Sequence, residues 1–275
     1  MASGSAAPSR PYLALRRPWL VAHRGGAALA PENTLPAFEL ATRLGADAFE
    51  LDVHLTRDGE VVVFHDAETA RLTGAPGTIA ARTLAEVRRL DAAWGFTPDG
   101  GATFPLRGRG VAPPTLAELL ARFPGMRMNV EAKSEDPALA AALVAVVRAA
   151  GAVDRVCVGS QHDEQAERIR ALLPGACHFL PETAATAHVM AARAEHPTGL
   201  AEGWDVADLP YRMEGSDIVV LDRRTIDFLH ARGLAVFAWT VDDERDMRAL
   251  LADGIDGIMT DRPDVLARVL GRGAA

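Results

Sequence analysis

The stretch AFELDVHLTRDGEVVVFHD, residues 48–66, sets how many parallel strands the chain can hold. Its first nine residues alternate apolar and polar side chains, as a strand buried on one face does. Its last six begin with three valines, a second strand signature. Only a few turn residues, around Asp58-Gly59, lie between the two runs. A parallel crossover needs a dozen residues or more, whereas Asp-Gly between β-rich runs is the strongest short-range hairpin signal. VVVFHD is therefore expected to fold back antiparallel on AFELDVHLT.

Outward from this hairpin, apolar strand-like runs recur: WLVAHRG before it, then MRMNVEAK, RVCVGS, CHFLPE, DIVVLD, AVFAWTVD and GIDGIMTD after it. With the hairpin arm set aside, eight strands remain. Helix-like segments such as 137–150, 164–173, 224–232 and 243–252 separate most of them. The first helix has a start at Asn33-Thr34, which can cap it, a proline in its first turn at Pro36, and an end at Gly45. Strand and helix in alternation imply a parallel sheet, and at this length the expected architecture is α/β, a TIM (β/α)8 barrel. The rhythm breaks over about 67–113, where TGAPG, TPDGG and RGRG cluster around one helical piece near 84–90. This is expected to be an insertion over the barrel mouth. Residues 1–17, small, polar and basic, read as a loose tail, and 18–275 as one barrel domain.

The chain has 275 residues, 49% of them hydrophobic, enough for one large core. Its net charge of −8 and pI near 5.5 argue against nucleic acid or an anionic membrane surface as the main partner, because both need a basic face. Cys157 and Cys177 have neither zinc nor redox spacing and read as buried free thiols of a reducing compartment. The N-terminal stretch lacks the continuous apolar run of a secretion signal. The longest apolar run, residues 137–147, falls short of the roughly 20 residues a bilayer span takes. A cytoplasmic protein is the expectation.

Strand alternation puts Glu50 and Asp52 on one face, with Leu51 and Val53 on the other. A two-residue turn at Asp58-Gly59 would pair Arg57 with Glu60 and, five pairs back, His65 with Asp52. On MRMNVEAK, Asn129, Glu131 and Lys133 share a face. His23 and Arg24 close the first strand. All are C-terminal strand ends, where barrel enzymes build their sites. Three carboxylates converging there would repel one another unless a hard divalent cation, Mg²⁺ or Ca²⁺, took them as oxygen ligands. Two histidines suit proton transfer, and two cations suit an anionic substrate. Together these groups describe phosphoryl chemistry. His162 is a lesser candidate near the mouth. His54 is expected to be exposed towards the hairpin tip, and His178, His188, His196 and His230 read as ordinary. Trp94 and Phe96 in the insertion either touch substrate or anchor the insertion by burial.

In order along the chain, HRG, PENT, ELDV, T.DG, VVFHD, NVEAK, AWTV and GIMTDRPD resemble the glycerophosphodiester phosphodiesterase family, from about residue 20 to residue 270. The resemblance implies a TIM barrel with a small insertion after the hairpin. It implies that Glu50, Asp52 and Glu131 bind one divalent cation (Mg²⁺ or Ca²⁺, with Mn²⁺ as a third choice). It further implies that His23 and His65 are the acid–base pair, that Arg24 and Lys133 contact the phosphate, and that Trp239 lines the glycerol pocket. The implied reaction releases glycerol 3-phosphate and an alcohol from a small-molecule glycerophosphodiester. Two alternatives stand beside it: the same chemistry on lysophospholipids, which needs an apolar groove, and a non-catalytic barrel that binds phosphate esters. Gln161-His162 and Asp242 depart from the family's usual residues near the mouth and bear on the alcohol group.

Overall fold

The computed structural model describes residues 10–194, 198–213 and 215–272. Strands β1 (Trp19–His23), β2 (Ala48–Leu55), β4 (Arg127–Ala132), β5 (Val156–Gly159), β6 (Val206–Pro210), β7 (Ala235–Trp239) and β8 (Gly257–Thr260) run parallel, and β3 (Val61–Val63) folds back on β2. Their order is β5-β4-β2-β1-β8-β7-β6. Residues 177–180 bridge the remaining gap: Cys177 pairs with Cys157 on one side and Phe179 with Val206 on the other, both in parallel sense. The ring is thus an α/β barrel of eight positions. Helices α1 (Leu35–Arg43), α4 (Leu116–Arg122), α5 (Pro137–Ala149), α6 (Asp163–Leu172), α7 (Glu182–Arg193), α8 (Arg223–His230), α9 (Glu244–Asp253) and α10 (Pro263–Val269) surround it, and α2 (Ala70–Thr73) and α3 (Leu84–Val87) lie in the segment between β3 and α4. No helix among the described residues is long and apolar enough to cross a membrane.

The outward faces of the strands pack on the helices. Leu51 and Val53 of β2, Met128 and Val130 of β4 and Phe38 of α1 are all fully buried in one such layer. Each such side chain contributes about 1.5–3 kcal/mol through removal of apolar surface from water. Inside the barrel, Trp19, Cys157, Cys177, Phe179, Phe237 and Met259 pack together, with Phe179 and Met259 reaching the lining of the mouth. Both cysteines are buried free thiols.

Three expectations need correction. First, DIVVLD supplies no barrel strand. The sixth barrel position in chain order is taken instead by β6, VADLP, while Val219 makes only an antiparallel bridge to Arg212 in a hairpin outside the barrel. VADLP hides itself because an inward strand face at the mouth carries a polar residue, Asp208, and an edge proline closes it. Second, residues 10–17 are not a loose tail. Residues 1–9 lie outside those described, but Tyr12 and Leu13 are buried, with Tyr12's ring 5.4 Å from that of Trp19 at the barrel floor. Arg127 Nε donates to the Tyr12 carbonyl at 2.6 Å and fixes this plug. Third, the hairpin register is one residue off. Val53 pairs with Val63, His54 with Val62 and Leu55 with Val61, so Phe64, whose N–H reaches the Asp52 carbonyl at 2.9 Å, sits opposite Asp52. The loop has three residues, Arg57 to Gly59, closed by the Thr56 N–H on the Glu60 carbonyl. Gly59, at φ 86°, supplies the left-handed residue such a loop requires.

Candidate active site at the barrel mouth

Register across parallel strands determines which side chains meet. His23 is level with Glu50, Glu50 with Asn129, and Asp52 with Glu131. Neighbouring strands therefore carry His23, Glu50, Asp52 and Glu131 to the same end of the barrel interior. One cleft of about 790 Å³ opens there, and its lining includes His23, Arg24, Glu50, Asp52, His65, Glu131, Lys133 and Trp239. All eight residues singled out from the sequence are thus in one place. His65 reaches it despite the shifted register, because β3 ends at Val63 and the chain turns in beyond Phe64.

Each imidazole is tethered at Nδ1. His23 Nδ1 lies 2.7 Å from Asp261 Oδ1, and His65 Nδ1 lies 2.7 Å from Asp66 Oδ1. A carboxylate only accepts, so each ring donates from Nδ1 and keeps Nε2 free for the cleft. Asp261 is itself fixed: Asp242 Oδ1 accepts from the Asp261 N–H and the Thr260 hydroxyl, both at 2.8 Å. Asp242 thus stands behind Asp261, the partner of His23, and does not line the cleft. His54, expected to be exposed, is buried at 6% accessibility and hydrogen-bonds through Nε2 to the His65 carbonyl at 2.9 Å. Facing inward behind the site, it braces the backbone that presents His65.

The loop after β1 is wound tightly around the carboxylates. Arg24 and Asn33 both adopt left-handed backbone, φ 51° and 57°. The Arg24 N–H donates to Glu50 Oε2 at 3.0 Å, and the Asn33 side-chain amide to Asp52 Oδ2 at 2.9 Å. Asn33 therefore orients a carboxylate instead of capping α1. Thr34 occupies the N-cap position, but its hydroxyl turns back to the Pro31 carbonyl. Arg24 Nη1 donates to Glu32 Oε1 at 2.9 Å, and Arg71 holds both Glu32 and Asp66. Of these supporting groups, Glu32 lies within the PENT motif, Asp66 within VVFHD and Asp261 within GIMTDRPD, though none was singled out there, while Arg71 lies in no quoted motif.

Glu50, Asp52 and Glu131 each offer an oxygen such that the three atoms lie within 4.8 Å of one another. Two cations approach them: Lys133 Nζ is 3.3 Å from Glu131 and 3.5 Å from Asp52, and Arg24 Nε is 3.5 Å from Asp52. Three carboxylates against two cations leave a negative excess in a buried place. Burial, then the neighbouring Asp52 charge, pushes the Glu50 carboxyl up to about 8. Glu131 is raised as well, mainly by burial. Hard oxygen donors that resist ionisation together are what a divalent cation fits. Burial alone would lower the His23 imidazole, but Glu50 and Asp261 outweigh it and hold the ring above its ordinary value. His65 is lowered, chiefly by burial.

The rest of the cleft differs in character. Beside the polar groups it has an apolar wall that includes Leu180, Ala185, Val189, Met190, Met213 and Val220. At its base Asp208 accepts a hydrogen bond from Asn129, and burial pushes its carboxyl up to about 7. Trp94 and Phe96 do not line this cleft. Trp94 instead stacks with Arg107, whose guanidinium carbon is 4.5 Å from the ring centroid. His162 also lies outside the lining and faces Glu135 at 3.6 Å. His178 is buried between the carbonyls of Val158 and Leu173, and His230 pairs with Asp256. His188 bonds to the Ala184 carbonyl, and His196 lies outside the described residues.

Polar groups at the C-terminal mouth of a parallel barrel, with cations for an anion and imidazoles for protons, define a barrel hydrolase of phosphate esters. Comparison with known proteins narrows that class. The chain belongs to the glycerophosphoryl diester phosphodiesterase family, whose model matches residues 23–265, and it is a phosphoric diester hydrolase of that family. A glycerophosphodiester phosphodiesterase from Caldanaerobacter subterraneus subsp. tengcongensis is 30% identical over 92% of this chain and 98% of its own. An Oleispira antarctica phosphodiesterase, solved in complex with the product sn-glycerol-3-phosphate, superposes with a TM-score of 0.74 at 27% identity, over 92% of this chain and 97% of that one. The phosphodiesterase domain of an uncharacterised Mycobacterium tuberculosis protein shares the fold, with a TM-score of 0.81 at 23% identity over 94% of this chain and all of that one.

Proposed function

We propose that this enzyme hydrolyses glycerophosphodiesters to glycerol 3-phosphate and a free alcohol, with His23 and His65 as the acid–base pair and a cyclic phosphate between two steps. The observation that carries the reading is the convergence of Glu50, Asp52 and Glu131 within 4.8 Å, in the same cleft as two imidazoles held by carboxylates. The Oleispira relative's bound product supports the glycerol phosphate half of the substrate. Glu50, Asp52 and Glu131 would hold one Mg²⁺, Ca²⁺ or Mn²⁺, which when bound offsets charge on the phosphoryl oxygens.

The chain's own groups do the rest. Arg24 and Lys133 bind the phosphate, and Trp239 walls the glycerol side. Among the residues lining the cleft, Thr186, beside the apolar wall, is the one hydroxyl side chain, and there is no serine, cysteine or tyrosine. A protein nucleophile is thus lacking beside the histidines. The hydroxyl adjacent to the phosphoester carbon of glycerol is the best-placed alternative, since intramolecular attack has a large proximity advantage. In the first step that oxygen bonds to phosphorus and the bond to the alcohol breaks. One histidine takes the hydroxyl proton and the other gives a proton to the departing alcohol. In the second step water opens the cyclic phosphate and the two histidines exchange roles.

A single assay series tests this. Chelation should abolish turnover of glycerophosphocholine and one divalent ion should restore it. A deoxy analogue lacking the neighbouring hydroxyl should bind competitively without turning over. Brisk cleavage of that analogue would overturn the cyclic route, and full activity without metal would overturn the metal assignment.

The apolar wall favours a second substrate, a 1-acyl lysophospholipid, which keeps the neighbouring hydroxyl and adds a chain for Val189, Met190 and Met213 to cover. Cleavage of 1-acyl lysophosphatidylcholine that falls on Met190→Glu, with glycerophosphocholine cleavage retained, is the expected result. No cleavage by the wild type would remove this reading.

A further inference from the structure

Arg71 belongs to the insertion, not to the barrel, yet it touches the partners of two site residues. It stands in α2, a helix of four residues held by its own loop. The Thr69 N–H donates to the Gly77 carbonyl at 2.8 Å, and the Thr69 hydroxyl to the Ala75 carbonyl at 2.6 Å. From there the guanidinium makes four hydrogen bonds. Nε and Nη2 reach Asp66 Oδ2 and Oδ1 at 2.6 and 2.8 Å. Nη1 and Nη2 reach Glu32 Oε2 and Oε1 at 2.9 and 2.8 Å. The geometry is specific to arginine, because only a planar fork grips two carboxylates by both oxygens each; a lysine offers a single point.

The gripped oxygens are the ones that matter. Asp66 Oδ1 also faces His65 Nδ1 at 2.7 Å, and Glu32 Oε1 also accepts from Arg24 Nη1 at 2.9 Å. With both oxygens held, neither carboxylate can rotate away from its partner. Without Arg71, two carboxylates would face each other and Asp66, adjacent in sequence to His65, could swing to solvent. The side chain is half exposed, so this is a clamp at the edge of the cleft and not part of the core.

We propose that Arg71 is a positioning residue of this enzyme, through which the insertion holds His65 in one ring orientation and Arg24 in reach of the phosphate. The inference rests on the reading of His65 as an acid–base group and Arg24 as a phosphate ligand. It makes the insertion a working part of the site, although none of its other residues need touch the substrate.

The test compares wild type with Arg71→Ala, Arg71→Lys and His65→Ala. Orienting partners of this kind are worth about 10- to 100-fold in activity, so kcat on glycerophosphocholine should fall about that far in Arg71→Ala. Millimolar guanidinium should restore part of the loss and ammonium should not. Long-range ¹H–¹⁵N spectra should show His65 as a single Nδ1–H tautomer in the wild type and as a mixture in Arg71→Ala, with His23 unchanged. A clamp that merely anchors the insertion would leave the His65 signal as it is. Should Arg71→Ala fail to fold, Arg71→Lys carries the test, with a smaller fall in kcat, no guanidinium rescue and the same His65 change. Wild-type kcat and an unchanged His65 ring in a folded Arg71 variant, with His65→Ala inactive, would overturn the proposal. An active His65→Ala would instead overturn the acid–base reading, and the His65 ring signal would still decide whether Arg71 holds it.

Discussion

His23 and His65 are matched in one respect, the carboxylate on Nδ1, and differ in another, what lies around the ring. His23 is backed by Glu50, 3.7 Å from its Nε2, and by an aspartate pinned to β8, whereas His65 rests on Asp66 at the exposed edge. Replacing either with alanine should lower kcat by about 10²-fold or more, the scale of acid–base catalysis, with the fold intact. The double variant should lose less than the product of the single losses, because both act in one proton cycle. Steady-state kinetics with circular dichroism checks this, and near-normal kcat in either single variant would remove that residue from the pair. At this scale the sequence was readable wherever a side chain sits on a regular strand. Alternation puts Glu50 and Asp52 on one face of their strand and Glu131 with Asn129 and Lys133 on one face of theirs, and the barrel's strand ends bring the two together. The pairings between distant segments were not readable, even where a partner lies in a quoted motif: Asp261 is 238 residues from His23, and Arg71 is 39 from Glu32. His54 was misread for a related reason. A hairpin arm expected to end in solvent is covered by the insertion, where Phe64, Ile79 and Val87 form a small core of their own.

Strand β6 shows where element-level reading fails. VADLP contains an aspartate and a proline and looks like a loop, while DIVVLD looks like a strand and leaves Ile218 exposed in a hairpin. Intrinsic β preference measures fit to a half-buried pleat, and at a barrel mouth the inward face is polar by function. The hairpin β2–β3 was readable as a hairpin but not to the residue, since Asp-Gly fits both a two-residue turn and the three-residue loop found. The insertion invites a test of its own. Gly74, which ends α2 at φ 67°, lies so close to Trp94 that a Cβ there would sit 2.6 Å from the indole. Gly74→Ala combines a left-handed backbone cost of about 1–2 kcal/mol with that overlap. It should tilt α2, loosen Arg71 and lower both thermal stability and kcat. Gly74→Ala with Trp94→Ala should recover part of both, because the overlap is gone while the backbone cost stays. If the double variant is as impaired as the single one, the seat of α2 does not depend on Trp94.

Across the whole molecule, the metal-free protein carries buried acids that ionise poorly, and this sets how its stability responds to pH. Glu50 is raised from 4.5 to about 8 and Asp208 from 3.8 to about 7, both first by burial, and Glu131 is raised in the same way. Between those limits the folded protein binds more protons than the unfolded chain. Stability therefore falls as pH rises through that window, by at most about 1.4 kcal/mol per pH unit for each such group. His23, also raised, adds to the fall. His54 and His65, both lowered by burial, oppose it only near and below 6.5, where the unfolded chain's histidines take up protons. Asp66, lowered from 3.8 to about 2 first by Arg71, loses its contribution only as pH falls below 3.8 towards 2, and so stays constant across this range. The midpoint of thermal unfolding of metal-free protein should thus decline from about pH 5 to pH 8. A saturating divalent cation, by taking the ionised form of the three carboxylates, should reverse the decline, since binding to the folded state alone stabilises it. Glu50→Gln should flatten the metal-free curve and raise the midpoint at pH 8, while weakening the ion's effect, because it removes a repelling charge and a ligand at once. Scanning calorimetry of wild type and Glu50→Gln, with and without Ca²⁺ or Mg²⁺, measures all three. A metal-free midpoint that climbs towards pH 8 would mean that the acidic cluster is already neutralised by Arg24 and Lys133, and would leave those two cations, not a metal, as its counter-charge.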